Sequence, residues 1–178
     1  MPGHTTEIDR ESRIAAIVLN IYFTKIVLKF LHVIGAAVLL GTGAGIAFFM
    51  LLAHRTGRAH VVADVARIVV IADFIFTATA VVAQPATGVL LAYEVGYSLT
   101  EGWIVLSTIL YIVTGAFWLP VVWMQIRMRD LAVAASAAGE DLPPVYHRLF
   151  RVWFVFGFPA FAAVVGIFWL MIARPQIF

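Results

Sequence analysis

The run Lys29-Phe-Leu-His-Val-Ile-Gly-Ala-Ala-Val-Leu-Leu-Gly-Thr-Gly-Ala-Gly-Ile-Ala-Phe-Phe-Met50 decides the fold, because after Lys29 it holds no acidic residue, lysine or arginine. A helix rises 1.5 Å per residue, so about 20 such residues cross the roughly 30 Å hydrocarbon core of a bilayer. Followed outward, this apolar stretch runs from Ile26 to Leu52. Three more stretches share its character: Val61 to Leu91, Trp103 to Met124 and Val152 to Ile172. Each must be helical, because hydrocarbon offers no water to pair with the backbone groups of an isolated strand. The chain therefore reads as all-α, an integral membrane four-helix bundle. Short connections make sequential helices neighbours in up-down-up-down order.

Composition agrees. Of 178 residues 63% are hydrophobic and 12% charged, with a mean hydropathy of +0.99; soluble domains carry about 25% charged residues. One membrane domain, residues 25–178, is expected after an N-terminal tail, residues 1–24. Within that tail Ile14 to Phe23 is apolar but too short to span once Lys25 and Lys29 hold an interface. It is either an interfacial helix or an extension of the first span. His4, Glu7, Asp9 and Glu11 give the start of the chain none of the basic character of a secretory signal. The formal charge of +2 is scattered between apolar runs, so no nucleic-acid partner is implied. The absence of cysteine removes disulfides, thiolate metal sites and cysteine nucleophiles. No phosphate-binding loop, dinucleotide fingerprint, HExxH or nucleophile elbow occurs.

The connections differ in charge. Ala53 to His60 carries Arg55 and Arg58, and Arg127 to Arg151 carries four arginines with Pro143-Pro144 as a breaker. Between them Tyr93 to Gly102 carries Glu94 and Glu101 and no Lys or Arg. By the positive-inside rule the arginine-rich side is cytoplasmic. The expected setting is a bacterial inner membrane with both termini outside. Trp103, Trp123, Trp153 and Trp169 lie near span ends and read as an aromatic belt.

Polar side chains inside a span are functional hypotheses by default. His32 lies about two turns into the first span, and at ~100° per residue Lys25, Lys29, His32, Gly35, Ala36, Leu39 and Gly43 share one stripe. A haem b fits that face: an imidazole supplies an axial nitrogen, Gly35 and Gly43 leave room for a flat macrocycle, and Lys29 and Lys25 can pair with propionates. The plain alternative is a histidine bonded to a neighbouring helix, with the glycines serving helix packing. Gly41, Gly45 and Ala37 form a small-residue face that reads as packing. The second span holds Asp73, Thr77, Gln84 and Thr87 on one stripe, with a kink expected near Pro85. A carboxylate there needs a partner or a proton, and Arg151 at the entry of the fourth span is the expected partner. Ser107, Tyr111, Thr114 and Trp118 line one face of the third span, either as packing or as the wall of a quinone pocket. His54, His60 and Asp64 stand at the basic surface, where a solvated loop and a metal site are both open readings.

The quoted run resembles the first helix of a family of uncharacterised bacterial four-helix membrane proteins. More distantly it is similar to the CopD-like group, which includes HemJ-type protoporphyrinogen oxidases. There, a first-helix His followed by small residues holds haem b, and His32 falls on that motif. Those oxidases also use a lysine on a later helix, which the third span here lacks. The resemblance implies a haem-binding membrane protein, conceivably a haem-dependent oxidoreductase, passing electrons to or from a quinone or a periplasmic carrier. Its partners are then membrane lipid, that redox partner and, in a homo-oligomer, further copies of the chain. A second function class stays open: a cofactor-free small transporter or assembly subunit built on Asp73, Gln84, Tyr111 and Arg151.

Overall fold

The computed structural model describes residues 3–177, and among these all regular structure is helical. The helices are α1 (Gly3–Arg55), α2 (Ala59–Ala72), α3 (Ala78–Val95), α4 (Gly102–Ala138) and α5 (Pro144–Ala173). A π-helical turn, Asp73–Thr77, joins α2 to α3 without a break. Four helical stretches are long and apolar enough to cross a membrane: 13–55, 59–95, 102–138 and 144–173. The chain is thus a four-helix membrane bundle, its second span built from α2, the π turn and α3.

Charged residues bracket every span: Lys29 and Arg55, Arg67 and Glu94, Glu101 and Arg127, Arg151 and Arg174. Each pair encloses about 25 residues, on the order of 37 Å of helix, which suits hydrocarbon plus a little interface. The boundary at Arg55, Arg67, Arg127 and Arg151 is here called the basic end, and the opposite one the acidic end. The helices run on past both boundaries, farther than the apolar stretches alone suggest. Beyond the acidic end α1 continues back through Phe23 and Ile14 as one unbroken helix. At 53 residues it is about 80 Å long.

Sharp stops make the up-down topology. Gly96 and Gly139 close α3 and α4 at φ +90° and +69°, a left-handed conformation that costs glycine nothing. Behind each, the next amide reaches back to the helix: Tyr97 N–H to Ala92 O and Glu140 N–H to Ala135 O, both 2.9 Å. Pro143 and Pro144 start α5, where the missing proline N–H costs nothing. α4 packs along α5 and α2, while α1 packs along α3 and α2.

The apolar core lies toward the basic end. It joins Ile46, Met50 and Ala53 of α1 to Val62, Ala66 and Val69 of α2, then to Met124, Met128 and Ala132 of α4 and Tyr146, Phe150 and Trp153 of α5. Two of the four expected belt tryptophans belong elsewhere. Trp153 sits in this core, and Trp103 is buried with its indole N–H on Glu101 Oε2 at 2.7 Å. Trp123 and Trp169 are exposed, as a belt requires. α3 runs through Pro85, and a π turn that no sequence signal announced falls earlier in the span, at Asp73–Thr77.

Candidate functional site

Toward the acidic end α1 and α3 meet through polar side chains. His32 is half-buried there, and its Nδ1 lies 3.0 Å from Thr87 Oγ1. The Thr87 hydroxyl has one proton, and Ala83 O accepts it at 2.8 Å, one turn back. Thr87 Oγ1 can then accept from His32, in the tautomer that carries the ring proton on Nδ1. The ring also lies within hydrogen-bonding reach of the Gln84 backbone.

Gln84, one turn before Thr87, donates from Nε2 to the backbone oxygen of His32 at 2.8 Å. These two bonds join α1 to α3 at a fixed register. The glycines make the approach possible. A Cβ on Gly35 would collide with the Gln84 amide, and one on Gly88 would lie 3.1 Å from His32 Cε1. Gly35 therefore seats Gln84 and leaves no free space of its own, while beside Gly43 the space is open. Gly88 was not singled out by sequence reasoning, since only its position opposite the His32 ring gives it meaning. Lys25 is half-buried and Lys29 exposed at the same end of α1.

Tyr111 of α4 has a specific task. Pro85 has no N–H, so the oxygen of Val81, four residues earlier, loses its helical donor. The Tyr111 hydroxyl donates to that oxygen. In hydrocarbon an unpaired carbonyl costs several kcal/mol, so this tyrosine satisfies what the proline frees. Ser107 and Thr114 on the same face bond back to Trp103 O and Leu110 O in their own helix.

Asp73 lies about 9 Å inside the basic boundary, counted from Arg67. It is 5% exposed. The indole N–H of Trp118 donates to its Oδ1 at 3.4 Å. One turn on, the buried Thr77 hydroxyl stands beside the same carboxyl. Arg151, the expected partner, is exposed and lines a surface hollow with Arg148, Val152, Val155 and Phe156. No ion pair joins it to Asp73 among the described residues. The reason is depth: the guanidinium stays at the aqueous boundary, which a long side chain reaches more cheaply than it enters hydrocarbon.

The histidines of the basic end do not gather a metal site. No group of three or more potential ligands occurs among the described residues. His54 stacks on Phe150, centroids 3.7 Å apart, beside His147. His60 is exposed, and Asp64 pairs with Arg67 at 3.6 Å.

Residues 26–175 match DUF2269, a family of predicted integral membrane proteins, and the chain belongs to that family. No curated protein and no solved structure matches it.

Proposed function

We propose that this protein binds haem b in the acidic-end half of the bundle, with His32 as an axial ligand, and that it carries electrons there. The observation that carries the reading is the anchored imidazole. With Nδ1 held on Thr87 Oγ1, the tautomer protonated at Nδ1 would offer Nε2 as a lone pair, the arrangement that metal-binding histidines take when a second group orients them. The ring is half-buried, and Gly43, exposed and about 16 Å along the same helix, is too distant to border a macrocycle held on His32. Gly35 and Gln84 serve as the floor that holds α1 on α3. Lys29 and Lys25 stand nearer the acidic boundary, where they can pair with carboxylates. When bound, the group would supply one-electron redox chemistry; the chain's own part is to hold one nitrogen, exclude water and offer cations at the surface. The similarity of the Lys29–Met50 run to the CopD-like group supports the same reading. No second histidine lies between the boundaries near His32, so a five-coordinate iron or a weak sixth ligand is expected.

The arginines of the basic end favour a bacterial inner membrane orientation with that end in the cytoplasm. The redox partner, a quinone or a periplasmic carrier, would then approach from the outer side. The visible spectrum of the detergent-purified protein, expressed with haem supplied, tests the assignment. A Soret band is expected, lost in His32→Ala and retained in His54→Ala and His147→Ala. Lys29→Ala should weaken retention without abolishing it. Colourless wild-type protein, or a Soret band that survives His32→Ala, overturns the proposal. A reporter fused after the last helix should be inactive in the cytoplasm; cytoplasmic activity would reverse the orientation.

A further inference from the structure

Asp73 takes no part in the His32 site. Thr87, which bonds His32, is 14 residues along the same span, roughly 21 Å away. We propose that Asp73 is a proton-binding site within the membrane, a carboxyl that takes up and releases a proton with no fixed cation beside it.

The geometry leaves few other states for it. A buried carboxylate persists when cations or several donors compensate its charge. Here only the Trp118 indole N–H, at a long 3.4 Å, and the Thr77 hydroxyl reach it, and neither carries a charge. The charged groups on every helix of the bundle can be named. α1 has no ionisable residue between His32 and His54, and between Arg67 and Glu94 the second span has only Asp73 and, at its acidic end, Tyr93. Between Glu101 and Arg127 α4 has only Tyr111, whose hydroxyl is committed to Val81 O. Between Arg151 and Arg174 α5 has none. At the basic boundary Asp64 and Arg67 pair with each other on the surface, and Arg151 is exposed.

Two features separate this residue from an inert buried acid. Thr77, one turn on, holds a buried hydroxyl beside the carboxyl. That hydroxyl can donate to the carboxylate and, once the acid is protonated, accept from it. Asp73 is also the first residue of the π turn, where the Ala78 amide reaches back five residues to Asp73 O. Such turns are uncommon and recur at functional sites. The carboxyl is about two turns from the basic boundary, so exchange is expected from that side.

The test uses the full chain in lipid nanodiscs, with or without haem, so that failure of the His32 assignment leaves it untouched. Infrared difference spectra between about pH 5 and about pH 9 should contain a carboxylic C=O band that Asp73→Asn removes. Dicyclohexylcarbodiimide, which reacts with protonated carboxyls in apolar surroundings, should label the Asp73 peptide several-fold more at the lower pH. Trp118→Phe removes one of the two donors to the carboxylate and should move the midpoint upward. Arg151→Gln should leave it in place. Asp73→Glu, which keeps the carboxyl, should retain a titrating band if Asp73→Asn fails to fold. A band that is absent at every pH means a compensated carboxylate, and one that never changes means a fixed structural acid. Either result overturns the proposal, as does a midpoint that moves with Arg151→Gln.

Discussion

Beyond the basic boundary, α2, α4 and α5 bury Val62, Met128 and Tyr146 completely, whereas between the boundaries Ile68, Ile112 and Phe158 are each more than 60% exposed. The solvent accounts for the difference. Where the helices project into water, apolar faces are driven together, and the small residues Ala63, Ala66, Ala132 and Ala135 let them close tightly. Inside the bilayer lipid tails are as apolar as leucine, so burying an isoleucine gains little. The core reaches into the basic half of the bilayer through Ile46, Met50 and Met124. Deeper in, what joins helices is polar or steric: Gln84 on His32 O, Thr87 on the His32 ring, Tyr111 on Val81 O, and the notch at Gly35. One chain thus uses two kinds of adhesive, sorted by depth.

The contrast breaks most readily at Met128. Met128→Ala should cost about 2–5 kcal/mol in denaturant unfolding of the micellar protein, and Met128→Asp should prevent folding at that end. Gly35→Val comes next, at about 1–3 kcal/mol, because its branches occupy the place of the Gln84 amide. The loss should be traceable to the α1–α3 contact by cross-linking between engineered cysteines on those helices. Tyr111→Phe should cost on the order of 1 kcal/mol by orphaning Val81 O. In a Pro85→Ala background an ordinary amide satisfies that oxygen, so the same change should cost much less. Equal costs in both backgrounds would refute the assigned role of the tyrosine. The smallest effect belongs to Ile112→Ala, less than about 0.5 kcal/mol; a loss comparable to Met128→Ala would erase the distinction between the two regions.

Much of the architecture was legible because it depends on one-dimensional quantities. Four apolar lengths give four spans, and the polar residues Asp73, Thr77 and Gln84 within the second are all buried; the π turn divides them, with Asp73 meeting α4 and Gln84 meeting α1. Partners were harder, since they depend on which helix arrives opposite. Arg151 is the right charge for Asp73 on paper, but its position at the end of α5 keeps it in water, and Trp118 takes the place. Gly35 reads as vacant space in a sequence, yet a glycine opposite a long amide is a socket. Gly88 and the Tyr111–Val81 bond carry no one-helix signature at all. Trp153 illustrates the same limit: a tryptophan near a span end looks interfacial until other helices are found to close over it in the core.

The π turn at Asp73–Thr77 acts as a phase adjuster. One residue more than an α turn needs sets back everything after it by one residue's rotation, about 100°. Upstream of the turn, Val62, Ala66 and Val69 face the core; downstream, Gln84 and Thr87 face α1. Deleting a single residue within the turn would let the span wind as plain α-helix, with its hydropathy and length almost untouched. The downstream half would then be turned about a quarter of a revolution, carrying Gln84 and Thr87 away from His32 while Val62 and Ala66 kept their places. The span is in effect two half-helices clocked against each other, and the timing between them is stored in one supernumerary residue.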